Sequence, residues 1–228
     1  MSGQGWQMIG SRPGERVLPQ RRQAGESHAG GARPARGGAS DLVAQTGLLL
    51  EQWLSNPTIR TRHSCEAASD PDALWAAAGE LTISEAGLLG RLIGWRVPGT
   101  YAAQTFRDRF TSRPFVVLDE SDHYLLAGLC GDIWAANPSL AHLNDPSEFR
   151  AWSKPRTARV LFAHWVAPAP GGALIISEVR VSPVDRAARL MLRSLWPLID
   201  RAQGLIGSGP LKIAAHRAEI GWAGRTAA

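Results

Sequence analysis

Cysteine is scarce in this chain. Cys65 and Cys130 are the only two in 228 residues, too few for a disulfide framework and without the Cys-x-x-Cys spacing of a redox or zinc site. We expect both thiols to be reduced and buried. No apolar run approaches the roughly 18 residues of a membrane span, and the N-terminus lacks the continuous apolar stretch of a signal peptide. The sequence therefore predicts a soluble, cytoplasmic protein.

Several catalytic motifs are absent as well. The chain has no Gly-x-x-x-x-Gly-Lys phosphate loop, no Gly-x-Gly-x-x-Gly dinucleotide fingerprint, no His-Glu-x-x-His zinc motif and no Gly-x-Ser-x-Gly nucleophile elbow. We therefore expect no cofactor and no metal ion.

Positive charge is concentrated at the N-terminus. The formal net charge is +5, and the first forty residues account for +4 of it with six arginines against two glutamates. This segment is rich in Gly, Arg and Pro and has few large apolar residues, so it is expected to be a disordered tail over residues 1–41, or an artefact of the chosen start codon. A basic tail is not a folded basic stripe, and we expect no specific nucleic-acid binding.

A strand followed directly by a helix organises the rest of the chain. Residues 173–181 are rich in β-branched side chains, and the hydrophobic period then changes at Ser182. Ser182 as N-cap, Pro183 at the first helical position and Asp185 predict a helix over Val184–Gln203. Its predicted apolar stripe contains Ala188, Met191, Leu192, Leu195, Leu198, Ile199 and Ala202. The Gly-Ser-Gly at residues 207–209 is interpreted as the helix stop.

Hydrophobic periodicity predicts the remaining elements. Helices are expected over 41–54, from Ser69 onward, over 83–95 and near 144–153, and strands over 59–67, 115–119, 123–130 and 156–166. In the third of these helices the side chains expected to face inward are Leu88, Leu89, Leu92, Ile93 and Trp95. Residues 167–172 are expected to form a long hairpin loop. The order favours an α+β domain over residues 42–217 with a flexible tail over 218–228.

The order of elements and several phrases resemble one superfamily. Residues 60–75 resemble the opening strand and helix of the START-like, or SRPBCC, superfamily of helix-grip proteins. Residues 115–120, 126–134, 145–149, 177–181 and 185–189 are similar to an uncharacterised bacterial branch of it. The resemblance implies a curved antiparallel sheet wrapped around the long C-terminal helix, with an apolar cavity between them. It also implies the functions of that superfamily, which include lipid transfer, ligand binding and polyketide cyclisation.

The strand over 173–181 offers two faces to such a cavity. Ile175, Ser177, Val179 and Val181 share one face, and Leu174, Ile176, Glu178 and Arg180 share the other. In one register Ser177 is the polar group of the cavity, and Glu178 and Arg180 pair on the outside. In the other register that pair forms a polar floor inside the cavity. The sequence leaves both registers open.

Aromatic and imidazole side chains complete the set of candidates. His164 alternates with apolar residues on the strand over 156–166 and is either a structural residue or a proton shuttle. His63 and Cys65 share a face of the first strand and are candidate metal ligands together with Cys130 or His123. The residues expected to line the ligand cavity are Trp95, Trp134, Phe162, His164, Ser177, Met191, Leu192 and Trp196.

These patterns predict binding or carriage of a small hydrophobic molecule in the cavity. The alternative is a cofactor-independent cyclase, dehydratase or aromatase that uses the same cavity, with His164 or Glu178 as the acid–base group. A third hypothesis is an interaction module that reaches acidic partners through the basic N-terminal segment.

Overall fold

The computed structural model describes residues 47–226, apart from the side chains of residues 195–207 and 225–226. The tail predicted over residues 1–41 lies outside the described residues. Within the described range the chain is an α+β protein, as the order of its patterns predicts.

Five antiparallel strands form one open sheet. The strands are β1 (Ile59–Ala67), β2 (Val116–Ser121), β3 (Tyr124–Gly131), β4 (Ala158–Ala169) and β5 (Gly172–Pro183). Their spatial order is β1-β5-β4-β3-β2, so β1 and β2 are the edges of the sheet and β4 is its centre.

Helices lie on both faces of this sheet. They are α1 (described over residues 47–53), α2 (Pro71–Gly79), α3 (Gly87–Arg96), α4 (Phe106–Thr111), α5 (Pro146–Ala151) and α6 (Arg186–Thr226). Local capping explains the starts of α2 and α5, because the Asp70 side chain accepts the Ala73 N–H at 2.8 Å and the Asp145 side chain accepts the Ser147 N–H at 2.7 Å. In both helices a proline follows the cap.

Helix α6 begins later and ends much later than predicted. Its first turn is capped by Asp185, whose Oδ1 accepts the Ala188 N–H at 2.7 Å, while Ser182 and Pro183 still belong to β5. The predicted stop at residues 207–209 is wrong, since the helix runs on to Thr226. Beyond that point Leu211 and Ala218 are buried in a cluster with α2 and β5. Packing of these apolar side chains offsets the poor helix propensity of the Gly and Pro residues in this part of α6. Much of the predicted flexible tail is therefore helical.

The connection between β4 and β5 is also shorter than predicted. The two strands pair as far as Ala169 and Gly172, which leaves Pro170 and Gly171 as a tight turn instead of a long loop. Gly172 has φ +145°, and a Cβ atom there would lie 2.2 Å from the carbonyl oxygen of Ala67. Only glycine fits this close approach between the hairpin and the end of β1.

The two faces of the sheet carry different helices. On the face that we call inner, α6 contacts β1 and β5, and α2 contacts β4 and β5. On the face that we call outer, Leu54 and Phe149 cover Leu161 and Trp165 of β4. The described helices include none with the length and apolarity needed to span a membrane, although α6 has 41 residues.

Candidate ligand-binding site

A small cavity lies on the inner face, where α2, α4 and α6 meet the sheet. Its volume is about 80 Å³. Its walls are mostly apolar and include Trp75, Leu89, Phe106, Phe110, Leu125 and Leu211. A concave site with apolar walls and few polar groups suits an apolar ligand better than a charged one.

Two polar side chains from adjacent strands enter this cavity. His164 of β4 and Ser177 of β5 are register partners, and both line the cavity. The ring centroid of His164 lies 4.8 Å from that of Phe110, and its Nε2 is buried without a hydrogen-bond partner. Burial lowers the pKa of His164 to about 4, so the imidazole is neutral at neutral pH. It therefore offers a buried neutral nitrogen that a bound molecule can satisfy.

The register of β5 settles which of its faces meets the cavity. Ile175 and Ser177 line the cavity, and Val179 and Val181 pack in the inner-face core. Glu178 and Arg180 consequently lie on the outer face. They do not form a polar floor of the cavity, and Glu178 does not reach a ligand bound there.

Glu178 and Arg180 form a buried ionic network beneath α1. Both side chains are only 1 % exposed, and Arg180 Nε lies 2.7 Å from Glu178 Oε1. Arg180 also donates to Glu51 at 2.7 Å and to the carbonyl of Leu54 at 3.1 Å, both near the end of α1. Arg60 of β1 donates to the second oxygen of Glu178 at 3.0 Å. The pair is therefore on the outer face but not on an exposed surface, and it links α1 to β1 and β5.

The remaining cavity candidates are dispersed. Phe162 faces inward and packs on Phe110, with ring centroids 5.2 Å apart, and Leu192 is buried in the same core. Neither lines the cavity. Trp134 and Met191 line a different cleft of about 360 Å³ beside the start of α6, together with exposed Lys154. The Trp196 side chain lies outside the described residues.

The orientation predicted for α3 is wrong. Leu88, Leu92 and Trp95 are 52 %, 37 % and 70 % exposed, whereas the periodicity predicts that they face inward. Leu89 and Ile93 provide the inward side of the helix, and Leu89 lines the cavity. Because α3 is apolar on both sides, periodicity alone does not decide which side is buried.

The cysteine and histidine residues considered as metal ligands do not converge. Cys65 packs on the inner face and Cys130 on the outer face, and burial raises the pKa of Cys130 to about 12. His123 lies at the β2–β3 turn, with its Nε2 2.6 Å from Asp72. Among the side chains that the structure describes, no three His, Cys, Asp or Glu residues are grouped for a metal ion.

Sequence reasoning missed α4, which supplies two aromatic walls of the cavity. Phe106 and Phe110 are one helical turn apart on α4 and both line the cavity. The available signal was a capping pattern, because Thr105 Oγ1 accepts the Asp108 N–H at 3.1 Å. The Thr-x-x-Asp box at residues 105–108 could have predicted this helix.

Comparison with known proteins gives little further guidance. No protein-family model and no curated protein matches the sequence. Among solved structures the chain is similar to protein CV1439 from Chromobacterium violaceum, with 10% identity, a TM-score of 0.32 and coverage of 70% of this chain and 97% of that one. It is also similar to TTHA0849 from Thermus thermophilus, with 8% identity, a TM-score of 0.30 and coverage of 70% of this chain and 97% of that one.

Proposed function

We propose that this protein binds a small apolar molecule that carries one hydrogen-bonding group, in the cavity beside His164 and Ser177. The observation that carries the proposal is the buried, unpartnered Nε2 of His164 in an otherwise apolar cavity. A buried polar atom without a partner is unfavourable. A hydrogen bond from this atom to a ligand hydroxyl or carbonyl therefore contributes more binding free energy than the same bond at a solvated site.

The size of the cavity limits the ligand. A volume of about 80 Å³ is roughly half of the ~150 Å³ apolar cavity that is known to bind benzene. The cavity therefore encloses only part of a ring or a short chain, and the rest of the molecule extends through its open side. We infer that the ligand is held by one small apolar group and is not fully enclosed.

The architecture supports the same proposal. Helix α6 lies along the inner face and contributes Leu211 and Ala214 to the cavity, and the sheet contributes the opposite wall. We propose that this arrangement is a helix-grip fold of the START-like kind and that the protein acts in the cytoplasm as a binding or carrier protein.

Two probes of nearly the same shape test the proposal. p-Cresol has an aromatic ring with one hydroxyl, and toluene has the ring and methyl group alone. Isothermal titration should show that the wild-type protein prefers p-cresol by about tenfold, the value of one hydrogen bond. His164→Phe keeps a ring in place but removes both nitrogens, so it should bind the two probes equally.

Two alanines of α2 provide a matched control. Ala78 lines the cavity, whereas Ala76 is exposed on the same helix. Ala78→Leu should abolish binding of both probes, and Ala76→Leu should leave it unchanged. If Ala78→Leu binds p-cresol as well as the wild-type protein does, the ligand does not occupy this cavity and the proposal fails.

A second candidate is a cofactor-independent cyclase, dehydratase or aromatase. It is favoured by the position of His164, which faces the cavity and is unprotonated at neutral pH. A pKa of about 4 makes His164 a weak base, however, and we therefore place binding first. Exchange of the α-hydrogens of cyclohexanone in D₂O, followed by NMR, tests the reaction. Exchange that is accelerated by the wild-type protein but not by His164→Phe would support an enzyme.

A further inference from the structure

We propose that helix α3 docks this protein on an anionic phospholipid surface. The inference goes beyond the proposed ligand binding and does not depend on it. It rests on an exposed apolar stripe that we call the α3 stripe, formed by Leu88, Leu92 and Trp95. Residues at these spacings lie above one another on a helix, so the three side chains form one continuous strip.

The packing of α3 fixes this stripe toward solvent. On the other side of the helix, a Cβ atom at Gly90 would lie 1.7 Å from the carbonyl oxygen of Ile83. Helix α3 is therefore seated directly on the chain that precedes it. Ile93 packs against the core on the same inward side. The helix cannot turn its exposed stripe inward without losing both contacts.

The charge around the stripe identifies its partner. From Ala86 to Gln104 the chain has two basic residues, Arg91 and Arg96, and no acidic residue. At 100° per residue the two arginines fall on opposite sides of the stripe. The Arg96 guanidinium also lies over the Trp95 ring, 4.8 Å from its centroid. An apolar strip flanked by arginines and containing tryptophan is the pattern of helices that lie in the interface of anionic membranes.

A second copy of this chain is a poorer occupant. A twofold contact through the α3 stripe would bring the arginines of one copy against those of the other, and like charges in an interface are unfavourable. Tyr101, in the loop that follows α3, is a second amphipathic aromatic side chain close in sequence to the stripe and is 60 % exposed. Tryptophan and tyrosine are both enriched at the level of lipid headgroups.

Docking through α3 would also bring the cavity close to the membrane. Leu89 lines the cavity from the same helix that presents Leu88 and Leu92 to solvent. One helix thus separates the cavity from the proposed lipid surface.

Vesicle flotation with the full-length chain tests the docking. Vesicles of phosphatidylcholine alone are compared with vesicles that contain about 30 % phosphatidylglycerol, the anionic lipid to which basic residues are attracted. The wild-type protein should float with the anionic vesicles. Leu92→Ser combined with Trp95→Ser should lower the partition coefficient at least about tenfold, since two apolar side chains lose their burial.

Leu190→Ser is the matched control, because Leu190 is an exposed leucine on α6 (57 % exposed), away from the stripe. It should float as the wild-type protein does. The arginine-rich residues 1–40 are unchanged in all variants, so their attraction to the vesicles cancels in the comparison. Equal partitioning of the wild-type protein and the double variant would overturn the proposal. It would equally be overturned if light scattering showed a wild-type dimer that the double variant dissociates, since the stripe would then join two copies.

Discussion

Leu192 and Arg193 are adjacent in the sequence, but they leave α6 in different directions. Leu192 is buried in the inner-face core with Val160 and Val181, and Arg193 is exposed. Successive residues of a helix are separated by 100°, so one of them can pack on the sheet while the next remains in water. The side of α6 that packs on the sheet therefore determines which substitutions each position of the helix tolerates.

Aspartate substitutions at these two positions test that register. Leu192→Asp should destabilise the protein by several kcal/mol, about 3 or more, because it buries a carboxylate among apolar side chains. Arg193→Asp should cost less than about 1 kcal/mol, as is usual for an exposed position. Thermal melts of both variants provide the measurement. The opposite ranking would mean that α6 meets the sheet through another face.

At the scale of elements, the ionic network of Glu178 and Arg180 attaches α1 to the sheet. Arg180 neutralises Glu178 and also satisfies the carbonyl of Leu54, next to the C-terminal end of α1. Helix ends leave carbonyl groups unpaired, so the Arg180 side chain satisfies one of these carbonyl groups and neutralises Glu178 at the same time. A buried ion pair adds little net stability by itself, but removal of one partner is costly.

Arg180→Met should therefore destabilise the protein by about 3–5 kcal/mol, because Glu178 remains buried with only Arg60 as a counter-ion. The double variant Glu178→Met/Arg180→Met should be more stable than Arg180→Met alone, since no unpaired charge is left. Urea denaturation measures both. A double variant less stable than the single one would show that the network contributes more than charge balance.

At the scale of the whole molecule, the pH dependence of stability combines groups from distant parts of the chain. Burial holds the pKa of His164 at about 4, below the 6.5 of a solvated imidazole. Hydrogen bonds from the Thr82 backbone and hydroxyl, together with Arg217, lower the pKa of Glu85 to about 2. In each case the unfolded chain binds protons more readily than the folded one, so acid favours unfolding.

The two groups act in different pH ranges. The contribution of His164 is complete above pH 6.5 and is lost as the pH falls toward 4, and that of Glu85 is lost between about 4.5 and 2. For His164 the loss is at most about 3 kcal/mol, the free energy that corresponds to the difference between the two pKa values. His164→Phe should flatten the free energy of unfolding between pH 6.5 and 4 and leave the lower range unchanged. An unaltered slope in the upper range would show that His164 is hydrated in the folded protein.

The sequence by itself determined the elements whose causes are local. It predicted β1 at its observed bounds and placed β3 and β5 to within a few residues. It also predicted helices from Ser69 onward and near 144–153, within two residues of the observed starts of α2 and α5. These features depend on side chains a few positions apart, which is why one sequence suffices to find them. It further identified His164 and Ser177, which the structure brings together in the cavity.

Only the tertiary structure decided which apolar surfaces are covered. In the structure Leu89 of α3 faces the cavity, whereas Trp95 of the same helix is exposed. Helix α6 continues past Gly209, and Glu178 and Arg180 lie beneath α1. Each of these outcomes depends on contacts between residues far apart in the chain, and periodicity shows that a face is apolar but not what packs against it. The site itself combines walls from α2, α4, α6 and the sheet, and its position follows from their packing.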